Sequence, residues 1–259
     1  MFFFDEIKFI FYFYTLENSN YLKKMKFAII AAGEGSRLAN EGVATPKPII
    51  RLNGEPMIDR LIRIFIANNA SSVSIIVNEE MNEVYEHIST LKLPVPLNII
   101  RKSTPSSMHS FYELSHTIDD DIFCLTTVDT IFHEDEFSKY IEAFSVSAAD
   151  GLFAVTDHVD DEKPLYVETD EDMIIKGFYD EKPSDVKYVS GGIYCLRNNS
   201  LPILKASIDA GIFRLRNYQR QLVGNGLKIN AWPFSKIIDV DHQEDILKAE
   251  QFLKIVQVE

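Results

Sequence analysis

Cysteine is scarce in this 259-residue sequence: Cys124 and Cys195 are its two thiols, each inside an apolar run. That number excludes a disulfide scaffold and a cysteine-built metal centre, and it suits buried free thiols in a reducing cytosol. Positive charge is also short. The chain sets 26 Lys and Arg against 39 Asp and Glu, a net charge of −13, so there is no basic stripe for nucleic acid. A phosphate ligand must then be drawn in by local cations and metal ions, because the overall field repels it. Long apolar runs are missing as well. Phe2-Phe-Phe-Asp-Glu-Ile-Lys-Phe-Ile-Phe-Tyr-Phe-Tyr14 is aromatic but broken by Asp5, Glu6 and Lys8. It is too short to span a membrane and has neither the basic start nor the cleavage site of a secretory signal. Residues 1–24 read as an extension upstream of a natural start at Met25, with an amphipathic membrane anchor as the alternative. The remainder, 46% hydrophobic and 25% charged, is ordinary globular composition and long enough for a full core.

What is there is organised around Phe27-Ala-Ile-Ile-Ala-Ala-Gly-Glu-Gly-Ser-Arg37-Leu38, followed by Thr45-Pro-Lys-Pro48. Phe27–Ala32 is an apolar run of strand length. Gly33 and Gly35, without Cβ atoms, let the backbone turn sharply and approach a ligand. A loop at a strand end with its N–H groups turned outward is a seat for phosphate oxygens. Arg37 and Lys47 add a planar fork and a compact point charge. Two commoner motifs are excluded here. The dinucleotide fingerprint needs a third glycine where Leu38 stands, which disfavours a nicotinamide-dependent oxidoreductase, and a P-loop needs a lysine directly after Gly35.

Further along, Pro56–Asn69 has helical periodicity, Val73–Val77 reads as a buried strand, and Glu79–Leu91 as an amphipathic helix. Pro94–Ile100 leads into a short strand, and Ser103–Ser110 opens a helix reaching about Thr117, with its hydroxyls as N-cap candidates. Strands and helices alternating at this rhythm imply βαβ units and a mainly parallel sheet. Ile122-Phe-Cys-Leu-Thr-Thr-Val-Asp129 is the clearest buried strand, and it ends on a carboxylate. Ligands of open α/β sheets bind beyond the carboxyl ends of strands, so Asp129 points toward the region that Gly33 and Gly35 border. His133–Glu136 reads as a solvated helical turn. Gly151–Thr156 is a strand, and Pro164–Glu168 with Met173–Tyr179 a hairpin. Leu201–Asp209 and Phe213–Leu222 are helical, the second a candidate for contacts in a homo-oligomer. Leu227–Phe234 and Lys236–Val240 are strand-like. Asp241 is placed to cap the last helix, with Glu244 completing a capping box.

The G-x-G-x-R-L and P-K-P motifs together resemble the sugar-phosphate nucleotidyltransferases. Three later tracts extend the resemblance from Met25 to the C-terminus: Val128-Asp129, Glu181-Lys182-Pro183 with Gly191-Gly192, and Asp239-Val-Asp-His-Gln-Glu-Asp. It implies a three-layer, Rossmann-like α/β fold with a mainly parallel mixed sheet between helices. The nucleotide-binding half would run over about 25–130 and the acceptor half over about 150–259. It also implies a nucleoside triphosphate held by Ala31, Ala32, Gly33, Glu34, Gly35, Ser36 and Arg37, with Ser103 and Ser107 near base and ribose. Lys47 would sit by the α-phosphate. Asp129 and Asp239 would hold Mg²⁺, or Asp129 and Asp241 if Asp239 and Asp241 swap their ligand and capping roles. Glu181 would take a hydroxyl of a sugar 1-phosphate and Lys182 its phosphate, with Gly191 and Gly192 shaping the pocket. Where the family often has Gly-Thr-Ala, this chain has Ser, Met and His, and Val128 precedes Asp129 in place of glycine.

The implied reaction is Mg²⁺-dependent in-line attack of a sugar 1-phosphate on the α-phosphate, giving an NDP-sugar and pyrophosphate. Its alternatives are cytidylyl transfer to phosphocholine or another non-sugar phosphate, and a non-catalytic nucleotide sensor. The catalytic candidates are Arg37, Lys47, Asp129 and Lys182. Positioning and charge stabilisation carry such chemistry, so the absence of a Ser-His-Asp or Cys-His set is expected.

Overall fold

The computed structural model describes residues 24–159 and 162–254, so the expectations placed on the N-terminal extension lie outside the described residues, Lys24 excepted. The first strand, β1 (Met25–Ala31), shows how the sequence builds the layers. Successive strand side chains face opposite ways. Phe27, Ile29 and Ala31 enter one apolar cluster, and Ala28 and Ile30 enter another on the far face. A strand whose side chains are apolar on both faces belongs in the middle of a covered sheet. There it lies, paired in parallel with β2 (Ala70–Val77) on one side and β4 (Ile122–Thr127) on the other. Beyond β2 lies β3 (Leu97–Arg101), also parallel.

The second half turns antiparallel. β5 (Gly151–Thr156), β6 (Tyr166–Thr169), β7 (Ile175–Tyr179) and β8 (Tyr188–Arg197) extend the sheet beyond β4, and β9 (Ile229–Pro233) pairs with β5 in parallel. The nine-stranded order is β7-β6-β8-β4-β1-β2-β3, with β5 also bonded to β8. The chain therefore moves outward from β1 through β2 and β3, then returns to the opposite flank of β1 as β4. That reversal opens a crevice past the ends of β1 and β4.

Helices cover both faces. α2 (Met57–Ala67), α3 (Asn82–Ser89) and α5 (Glu134–Val146) pack on one; α4 (Ser107–Ser115), α6 (Leu201–Asp209) and α7 (Leu215–Gly224) pack on the other. Short α1 (Ser36–Asn40) and the last helix α8 (Gln243–Lys254) join a third cluster of Leu38, Ile131, Val240 and Phe252 beside the crevice. Aromatic stacking fixes the first face: Phe27 on Phe65 at 4.4 Å, Phe65 on Phe137 at 5.8 Å and Phe137 on Phe132 at 4.8 Å between centroids. Burying each ring is worth about 2–3 kcal/mol. Phe132 lies three residues beyond Asp129, and buried Arg60 donates to its carbonyl at 2.6 Å. Burial lowers the Arg60 guanidinium to about 10. The turn bearing Asp129 is thus anchored in the core.

The strand and helix assignments read from periodicity agree, with ends shifted by a few residues. His133–Glu136 forms the expected first turn of a helix, with Glu134 and Asp135 exposed, and it also takes distant partners. Glu134 accepts from Arg63 at 2.8 Å, Glu136 accepts from the Ser235 N–H at 3.0 Å, and His133 stacks on Phe252 at 3.9 Å. These partners come from distant segments, so no local pattern announces them. Among the described residues no helix is long and apolar enough to cross a membrane.

Candidate active site

β1 runs into the loop Ala32–Gly35, and α1 starts at Ser36. Gly35 has φ 62°, and a Cβ there would stand 3.1 Å from Lys47 Cβ. Glycine is therefore required twice over, by its left-handed backbone and by the approach of Lys47. Lys47 begins a single helical turn after Pro46, and its side chain is 8% exposed. On the opposite wall, the Val128 N–H donates to the Ile30 carbonyl at 3.1 Å and draws the turn after β4 against β1. A two-residue ribbon then pairs Thr130–Ile131 with Ile238–Asp239, and the Val240 N–H donates to the Asp129 carbonyl at 3.1 Å. Residues more than a hundred positions apart in the chain meet at one point.

Lys47 Nζ donates to Asp129 Oδ2 and, at 2.6 Å, to Asp241 Oδ1; Arg37 Nη1 donates to Asp241 Oδ2 at 2.6 Å. Burial works against the Lys47 ammonium, but the charges of Asp129 and Asp241 outweigh it and hold its pKa above the ordinary value. Burial likewise opposes the Asp129 carboxylate, and Lys47 with the Thr127 hydroxyl reverses that, keeping it below the usual range. Both groups are charged at neutral pH. Two carboxylates converging on a cation, all with hard oxygen donors, match what Mg²⁺ takes from a protein when substrate phosphates and water supply the rest. Among the described residues no three acidic, histidine or cysteine side chains converge as a closed cation cage.

A cavity of about 500 Å³ opens here, lined by Arg37, Ser107, Asp129, Gly192, Asp239 and Asp241 together with Lys163, Arg214 and Arg216. Gly192 has φ 75°, and a Cβ on it would come within 2.8 Å of Thr130 Oγ1. Across the glycine loop a second cavity of about 410 Å³ is lined by Glu34, Gly35, Thr45, Lys47 and Asn78. Ala31 is buried, Ala32 half-buried, and Gly33 and Ser36 exposed at the rim. Ser103 donates to Asn78 Oδ1 at 2.9 Å and does not line the Asp129 cavity.

One expectation needs correction. Asp241 does not cap α8. The Asp245 carboxylate accepts the N–H groups of Asp241 and His242 at 3.2 and 2.8 Å, and Glu244 pairs with Lys248 at 2.9 Å. The Asp241 side chain, so released, goes to Arg37 and Lys47. Lys182 and Glu181 line a cleft that adjoins the Asp129 cavity and shares Lys163, Arg214 and Arg216 with it. Gly191 borders a cavity that Arg37, Asp239 and Asp241 also line, where a Cβ would collide with Ile237 Cδ1. Lys163, Arg214 and Arg216, on the wall between the Asp129 cavity and the Lys182 cleft, were not singled out from sequence. The one available signal was their density in an acidic chain.

A family model described as Nucleotidyl transferase matches residues 26–221. The chain is 26% identical over 236 residues to the bifunctional protein GlmU of Methanococcus maripaludis (strain C7 / ATCC BAA-1331), covering 87% of this chain and 53% of that protein. It spans about half the length of such curated relatives. The structure of the inositol-1-phosphate CTP transferase from T. maritima matches with a TM-score of 0.75 at 17% identity, over 89% of this chain and 96% of that one. A UDP-glucose pyrophosphorylase complexed with UDP-glucose matches with a TM-score of 0.75 at 14% identity, over 90% and 100%. At these identities the two structures establish the fold.

Proposed function

The chain belongs to the nucleotidyl transferase family, and on that premise we propose that it joins a nucleoside triphosphate to a sugar 1-phosphate, releasing pyrophosphate, with Mg²⁺ bound by Asp129 and Asp239. The observation that carries this reading is the cluster of Arg37, Lys47, Asp129 and Asp241 at the crevice between β1 and β4. An acceptor phosphate oxygen bonds to the α-phosphorus while the bond to the bridging oxygen breaks, and pyrophosphate leaves with that electron pair. The N–H groups from Gly33 to Ser36 hold triphosphate oxygens, and Arg37 steadies the leaving pyrophosphate. Lys47 neutralises the α-phosphate, and Asp241, which accepts from both Lys47 and Arg37, is the alternative to Asp239 as the second residue that would hold the metal. Magnesium, when bound, offsets the negative charge that gathers as two anions meet. Ser103 and Ser107 lie on the side of base and ribose. Glu181 takes an acceptor hydroxyl, Lys182 meets the acceptor phosphate, and Gly191 and Gly192 keep space clear for the acceptor. No general base is needed, since a sugar phosphate is already ionised at neutral pH. Two buried free thiols suit a cytoplasmic setting.

Cytidylyl transfer to a non-sugar phosphate is the second reading. The likeness to an inositol-1-phosphate CTP transferase supports it, and so does the Ser/Met/His composition of residues 106–110. One experiment addresses both: pyrophosphate release with Mg²⁺ across five nucleoside triphosphates, each against sugar 1-phosphates and phosphocholine. Release with one pair is the expected result. Absence of triphosphate binding would sink both readings.

A further inference from the structure

One side chain of the Asp129 cavity is out of keeping with the helix that carries it. On α7, Leu215, Tyr218 and Leu222 turn one buried face into the apolar cluster on that side of the sheet. A helix burying such a stripe calls for a further apolar residue four positions after Leu215. Gln219 stands there, 3% exposed. Tyr218 settles its own polar end by donating to the Ser200 carbonyl at 3.0 Å. Gln219 does not. Its amide lies beside the Tyr194 hydroxyl, and its Oε1 has no hydrogen-bond partner among the described residues. Turning the amide about its last bond exchanges the two ends and still leaves one of them over. A buried amide end without a partner costs stability, so the chain keeps here a polar group that folding alone does not call for.

The surroundings say what would pair it. Gln219 lines the Asp129 cavity together with Tyr194, Ser190 and Gly192. Burial pushes the Tyr194 phenol up to about 12, so it keeps its proton at neutral pH, and its oxygen lies 3.4 Å from Ser190 Oγ. An amide and two hydroxyls, all neutral, make a strip that gives and takes hydrogen bonds. A hydroxyl group, donor and acceptor at once, satisfies either end of the amide. A trimethylammonium group offers neither and would leave it unpaired. We propose that Gln219 is a specificity-determining residue: with Tyr194 it takes a hydroxyl of the acceptor, and the acceptor is a polyol phosphate, of a sugar or a cyclitol, and not a choline phosphate. The proposal rests on the nucleotidyl-transfer reading and names its acceptor class.

The test uses the full chain with Mg²⁺ and each of the five nucleoside triphosphates. Pyrophosphate release and calorimetric binding are measured for glucose, mannose and inositol 1-phosphates, their single-deoxy analogues, and phosphocholine. One deoxy analogue of the preferred acceptor should lose about a hundredfold in kcat/KM, since it leaves the buried amide unpaired. Gln219→Leu should lower kcat/KM for the parent acceptor by a similar factor, mainly through KM, and bring that deoxy analogue level with it. The variant's KM for triphosphate should be unchanged. Its melting temperature should rise, because leucine suits the stripe. Gln219→Met keeps the length of the side chain and should behave alike, which guards against a leucine that packs badly. The assignment is overturned if no deoxy analogue is weaker by more than about threefold. A Gln219→Leu loss equal for parent and deoxy compounds, phosphocholine as the preferred acceptor, or no binding of any acceptor phosphate overturns it as well. Binding of a hydroxylated acceptor that weakens about tenfold in Gln219→Leu, without release from any pair, upholds the assignment and fails the transfer reading.

Discussion

The crevice at Asp129 and the cleft at Lys182 are neighbours built on opposite electrostatic plans. In the crevice Lys47 is answered by Asp129 and Asp241, and Arg37 by Asp241. In the cleft Asp180 answers Arg216 and Arg220, whereas Lys182 and Arg214 are left to the solvent. A site that must exchange a cation holds one in waiting between carboxylates. A site that must attract an anion against a net negative field keeps its cations unspent. The two plans also differ in burial. Lys47 is 8% exposed and sits where removing a partner is costly, while the cleft cations pay little for their solitude.

The largest effect should come from Asp129→Asn, which keeps shape and removes charge. Turnover is expected to fall about 10³-fold, of the order seen when one preorganised electrostatic contact is lost. Circular dichroism should be unchanged, and near-normal pyrophosphate release would remove Asp129 from the site. Next is Lys47→Met, which leaves Asp129 and Asp241 facing each other without their cation. Breaking so buried an ion pair should cost about 3 kcal/mol in a urea titration. A cost below about 0.5 kcal/mol would mean that the crevice is as loosely held as the cleft, and the contrast would fail. Arg214→Gly tests the cleft from the other direction. Glycine tolerates φ 68°, so stability should rise by about 1 kcal/mol while acceptor KM rises about tenfold. A variant that is more stable with unchanged KM would reduce Arg214 to a strained turn.

The smallest effect supplies a yardstick from an exposed ion pair. Hydrogen bonds from Arg63 hold the Glu134 carboxyl below its ordinary 4.5. A lowered folded pKa means stability that is present above the unfolded value and lost as pH falls through the folded one. Glu134→Gln should therefore cost at most about 1 kcal/mol at pH 7, since solvent screens a half-exposed group. The difference from wild type in melting temperature should vanish in acid. A difference that persists there would show that packing, and not charge, joins Glu134 to Arg63.

Much of the architecture was legible in the chain because it rests on local rules. Apolar runs of strand length, helical periodicity and the Gly33–Gly35 turn each act over a few residues, and Asp129 at the end of the most apolar strand follows from them. Where Asp241 points was only half legible. It stands before a helix and fits a capping rule as well as a place in the site; only the arrival of Asp245 at the same N–H groups frees it for Lys47, 194 positions away.

The sequence by itself determined the alternation of strands and helices, the Gly33–Gly35 turn and the family, because these depend on spacing along the chain. The tertiary structure alone decided which charges neutralise one another and which remain free. Electrostatic pairing is set by distance and burial, and both depend on how the sheet brings remote strand ends together.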